Sequence, residues 1–133
     1  MPEFTKAQAD LDAMSKKFQE EMQRTQNEFN KRYQEFVAQA DSLPKTIAER
    51  RQKELQDMAQ RQEQFQQEAY QTMQQAQQDA MTPIYKKLDE AIQAVGKAEG
   101  VVYIFDIART PIAFVSSQSI DVTAKVKAQL GIK

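Results

Sequence analysis

The chain has 133 residues, 28% of them charged, with 18 Lys or Arg against 19 Asp or Glu and a formal net charge of -1. It contains no Cys and no His, so no thiol nucleophile, imidazole base or soft metal site can be built, and the charge balance lacks the basic footprint that binds a nucleic-acid backbone. A chain this short and polar closes around only a small core, which points to an extended or oligomeric architecture.

The opening MPEFTKAQ has no apolar h-region, and no stretch of about 18 apolar residues follows, so the sequence reads without a signal peptide or a membrane span. From Leu11 a stripe runs through Met14, Phe18, Met22, Thr25, Phe29, Tyr33, Phe36 and Ala40, and only Thr25 and the Tyr33 hydroxyl interrupt its apolar character. The steps of three, four and four make an eleven-residue period of about 3.67 residues per turn, which predicts a nearly straight or slightly right-handed helix pairing. After DSLPK a second stripe runs through Ile47, Arg51, Leu55, Met58, Gln62, Phe65, Ala69, Met73, Ala76 and Ala80. Asp41 and Ser42 are capping residues, and Pro44 suits the first turn of a new helix, where its missing N–H is not needed.

A turn between Leu43 and Pro44 places residue n opposite roughly residue 87 minus n in an antiparallel pair, over a length of roughly 55 Å at about 1.5 Å per residue. Met14 then faces Met73, Phe18 faces Ala69, Met22 faces Phe65 and Phe29 faces Met58. Thr82-Pro83 predicts a kink, beyond which Ile84, Leu88, Ala91, Ile92 and Val95 form the stripe of a lower helix packed elsewhere.

The composition then changes. Val101 to Ala108 is apolar on both faces apart from Asp106, Arg109-Thr110-Pro111 is a short connection, and Ile112 to Ser116 returns, which together predict a β-hairpin over 101–117. SIDVTAKVKAQLG reads as a terminal helix at about 122–130, with Asp121 or Thr123 as N-cap and Gly131 as the stop signal. A two-stranded hairpin is marginal alone, so it needs further strands from elsewhere. The expected fold is mostly α with a small β-element: a long antiparallel α-helical hairpin (a coiled-coil arm) over 1–82 with its tip near 42–45, and a small α/β oligomerisation body over 83–133.

Gly100-Val101-Val102-Tyr103-Ile104-Phe105-Asp106, the return strand, Ser119-Ile120-Asp121-Val122-Thr123 and the preceding helical hairpin occur in the order that resembles the Skp/OmpH family of periplasmic chaperones. The opening PEFTKAQADLDAMSKKFQ also resembles the segment that follows the first strand in family members. The resemblance implies a periplasmic, ATP-independent holdase: a trimer whose β-rich body carries helical arms around a cavity for unfolded outer-membrane β-barrel proteins. It implies no enzyme activity and no cofactor. Two departures stand out. The family's signal peptide and first strand have no counterpart in these residues, and the arms are not basic, since residues 1–98 hold 14 Lys or Arg and 16 Asp or Glu.

The stripes are read as the hairpin seam, which leaves Phe4, Val37, Tyr70, Met81 and Tyr85, projecting away from it, as candidate client contacts. Tyr103, Phe105, Ile107, Ile112 and Phe114 are the candidate oligomerisation residues. The basic cluster Arg50, Arg51 and Lys53 and the run QRQEQFQQEAYQTMQQAQQD read as solvated surface. Asp106 and Asp121 have no nucleophile, phosphate loop or metal partner, so they are assigned to capping or a sheet edge, and no catalytic residue is expected. A coiled-coil scaffold or spacer without client binding is the alternative reading.

Overall fold

The computed structural model describes residues 1–132 and contains three helices: α1 (Pro2–Gln39), α2 (Lys45–Glu99) and α3 (Thr123–Gln129). Helix α1 spans 38 residues and α2 spans 55, lengths set by runs of Gln, Glu, Lys, Arg, Ala and Met, all strong helix formers. The connection between them is short. Ser42 closes the end of α1, its N–H and its hydroxyl both donating to the Gln39 carbonyl at 3.0 and 2.9 Å. The carbonyl of Pro44 accepts from Ile47 and Ala48 at 2.9 Å each, so Pro44 sits at the entry to α2, one position before the expected first turn.

Helix α2 runs unbroken through Pro83, where the sequence predicts a kink and the start of a separate lower helix. An internal proline withholds one N–H from the ladder and its ring crowds the preceding turn, at a cost of about 3 kcal/mol. The helix survives because Ile84 is buried and Met81 and Leu88 are half-buried on either side of it, so lateral packing offsets the weakened ladder. Two compact units divide the chain: Gln8–Gln78 forms one, and Met1–Ala7 together with the residues from Asp79 onward forms the other.

Within Gln8–Gln78, α1 and α2 pack antiparallel along the two stripes. Leu11, Met14, Phe18, Met22, Thr25, Phe29, Phe36 and Ala40 are half-buried, as are Met58, Gln62, Phe65, Met73 and Ala76, while Leu55 and Ala69 are buried. The Phe18 and Phe65 rings meet edge to face with centroids 5.9 Å apart. The Gln62 side-chain amide donates to the Gln26 side-chain Oε1 at 3.0 Å, within one residue of the expected register. The Phe65 ring reaches Phe18, one turn beyond the Met22 that the arithmetic sets opposite it. Three stripe positions, Tyr33, Ile47 and Arg51, are exposed, although Phe36 and Ala40, nearer the tip than Tyr33, stay half-buried.

In the other unit, Ile84, Ala91 and Val95 are buried on one face of α2. Helix α2 ends in a paired-bond stop: Gly100 takes φ +64°, its N–H donates to Lys97 at 3.4 Å, and the Val101 N–H reaches back to Gly96 at 3.3 Å. Helix α3 ends the same way, with Gly131 at φ +68° and bonds from Gly131 to Ala128 and from Ile132 to Lys127, as the sequence predicts. Its start has no side-chain cap at Val122; Asp121 instead accepts the Thr123 N–H at 2.9 Å.

The expected β-hairpin is absent: among the described residues 101–118 forms no strand. Its backbone groups turn locally instead. The Asp106 carboxylate accepts the Ala108 N–H at 2.9 Å, and the Asp106 carbonyl accepts from Arg109 and Thr110. Ser116 makes a similar turn with Gln118 and Ser119. A ladder needs a neighbouring strand to receive it, and two short apolar segments alone cover each other on one face only. Ile104 is the exception: it turns back onto α2, where a β-carbon at Gly96 would come within 3.3 Å of its Cδ1.

Candidate functional site

Among the described residues no polar or charged side chain is buried. The surface therefore carries whatever recognition it performs, and the exposed apolar side chains define the candidate. In the Gln8–Gln78 unit they are Tyr33, Val37, Ile47 and Tyr70, the last 65% exposed. Tyr70 borders a shallow depression with Gln66, Gln67 and Gln71, and its hydroxyl accepts from the Gln74 amide at 2.8 Å. These positions recur at i, i+1, i+4 and i+5 on one face of α2, so the depression is walled by amides around a single phenol ring. It presents hydrogen-bonding groups of both kinds and no charge. Tyr33, placed in the seam by its spacing, is exposed and stacks on Phe29 with centroids 6.3 Å apart and planes within 10°. An aromatic i, i+4 pair with a polar tip on the outer member is legible in the sequence and marks this second exposed ring.

In the other unit Phe4 and Tyr85 are exposed and Met81 is half-buried. Tyr85 lies under the Arg109 guanidinium, 5.3 Å from the ring centroid. Arg109 is also 3.8 Å from the Asp106 carboxylate, which ties the 106–110 turn to the Tyr85 side of α2. Beyond it Tyr103, Phe105, Ile107, Ile112 and Phe114 are all exposed, joined by Val102, Val115 and Ile120 that the sequence reading leaves out. The Tyr103 and Phe105 rings lie 5.9 Å apart. Phe114 is 81% exposed and Val102 82%, so this segment leaves much of its apolar surface to solvent, more than single surface hydrophobics explain.

Charge is distributed in local pairs. Glu21 holds Arg24 at 2.6 Å, Glu28 holds Arg32 at 2.9 Å, and Lys125 pairs with Glu99 at 2.5 Å. The basic cluster near the tip is partly matched too, Arg50 and Arg51 lying 3.3 and 3.6 Å from Glu54. These pairs are exposed and each contributes little to stability. Hydrogen bonding from Lys87 lowers the pKa of Glu3, that from Arg24 lowers that of Glu21, and that from Thr123 lowers that of Asp121, each below the ordinary carboxylate value. Asp106 and Asp121 both act as backbone anchors. Among the described residues no group of acidic side chains could hold a metal ion, and no helix is long and apolar enough to cross a membrane.

A family model described as outer membrane protein (OmpH-like) matches residues 1–130. The chain belongs to the OmpH-like family. A search of the curated proteins returns no match. OmpH-like proteins are periplasmic chaperones, not enzymes, and the helical hairpin of this OmpH-like chain agrees with that fold.

Proposed function

We propose that this protein is an ATP-independent holdase that binds unfolded outer-membrane β-barrel proteins in the periplasm and prevents their aggregation. The observation that carries the reading is the dispersal of exposed apolar side chains, such as Val37 and Tyr70, over a long, amide-rich hairpin of balanced charge. Many weak contacts of this kind hold a chain of arbitrary sequence without a defined pocket, and their joint strength exceeds that of any one. Family membership supports the same reading.

In this reading residues 1–82 supply the client surface, with Phe4, Val37, Tyr70, Met81 and Tyr85 among the contacts. Residues 83–133 are the oligomerisation body, in which Tyr103, Phe105, Ile107, Ile112 and Phe114 become buried and the 101–117 segment gains its strand pairing when three copies associate. Exposure of those five side chains in the single chain supports this assignment.

Two measurements test it. A urea-unfolded β-barrel outer-membrane protein is diluted with and without stoichiometric chaperone, and turbidity is followed; suppression at equimolar trimer is expected, whereas undiminished aggregation favours a structural spacer. Light scattering at micromolar concentration then reads the assembly. A monodisperse species near 15.3 kDa would overturn the trimer.

A further inference from the structure

The seam of the Gln8–Gln78 unit carries Met14, Met22, Met58 and Met73, and all four are half-buried: packed between the helices, yet open to a small solute along the seam edge. The chain has no Cys and no Trp, so these thioethers are its most readily oxidised side chains. A thioether fills irregular gaps because it is apolar and flexible, whereas its sulfoxide is polar and accepts hydrogen bonds. The observed pairs Phe18 with Phe65 and Gln26 with Gln62 bracket Met22 along the seam, and the spacing of the two stripes in the sequence sets Met14 across from Met73. Among the described residues the buried side chains of this unit are Leu55 and Ala69, so there is no deep core to hold the helices together once the stripe turns polar.

We propose that Met14, Met22, Met58 and Met73 are oxidation sites through which a hydroperoxide loosens the hairpin seam. The thioether sulfur attacks the terminal peroxide oxygen, the O–O bond breaks and the S=O bond forms. Sulfur loses two electrons and the hydroperoxide is reduced to water or the corresponding alcohol. The change is reversible where a sulfoxide reductase acts. Loosening exposes Phe18, Phe29 and Phe65, which are half-buried while the seam is closed.

The full chain is treated with hydrogen peroxide, oxygen addition is mapped by peptide mass spectrometry, and thermal unfolding is followed by helical circular dichroism at fixed protein concentration. The four seam positions each gain one oxygen atom, and the melting temperature falls by roughly 10 °C. Methionine sulfoxide reductase restores it. The variant Met14→Leu, Met22→Leu, Met58→Leu and Met73→Leu keeps its melting temperature under the same treatment; should that variant not fold, the reductase recovery decides. Complete oxidation of the four with unchanged melting, or oxygen addition confined to Met1 and Met81, overturns the proposal. No client protein enters the assay, so its outcome is independent of the holdase reading.

Discussion

Replacing Phe18 by Ala probes the hairpin seam most directly. Phe18 is half-buried and its ring meets Phe65 edge to face across the helices at 5.9 Å. A fully buried Phe→Ala change costs about 3–5 kcal/mol, and half-burial reduces the transfer and cavity contributions to roughly half of that. Loss of the edge-to-face geometry adds about 1 kcal/mol, so the expected cost is roughly 2.5–3.5 kcal/mol. For a chain of this size that lowers the melting temperature by roughly 10 °C. The assay is thermal unfolding at one fixed protein concentration, because association couples stability to concentration. Phe65→Ala and the double variant complete a cycle, and a coupling of about 1 kcal/mol is expected from the ring pair. Val37→Ala is the control: Val37 is exposed and its loss should stay within about 0.5 kcal/mol. Unchanged melting of Phe18→Ala, or an equal loss for Val37→Ala, would falsify the seam.

Gly100→Ala should cost about 1 kcal/mol, since Gly100 sits at φ +64° with open space around it, so the loss comes from backbone strain and not from crowding; chemical denaturation of the variant checks this, and no loss would contradict the stop assigned to α2. Acid should destabilise the fold. Glu3, Glu21 and Asp121 have lowered folded-state values, so their contribution is present above the unfolded value near pH 4 and is lost as pH falls through the folded one. Melting temperatures measured from pH 7 to pH 2 should therefore decline below about pH 4, and Glu21→Gln should flatten part of that decline; a pH-independent profile contradicts the pairings.

The two helical stripes were legible because helix formation is local. Each backbone bond closes within four residues, so the spacing from Leu11 to Ala40 and from Leu55 to Ala80 already states which side faces inward, and burial follows it almost position by position. The tip is equally local: Ser42 and Pro44 act on carbonyls and amides a few residues away. So is the stop at Gly131, where a positive φ is required. What spacing could not convey is where the stripes cease to have a partner. Tyr33 and Ile47 continue the pattern but lie exposed, and Met81 stands off the pattern but is half-buried. Pro83 reads locally as a break, yet the buried Ile84 and its neighbours carry α2 through it, because packing from outside the helix outweighs one missing bond. The segment from Val101 to Ser116 shows the limit most clearly. Its β-branched and aromatic residues state a preference for extended backbone, but a strand exists only when another strand receives its N–H and C=O groups, and that partner is a property of tertiary or quaternary structure.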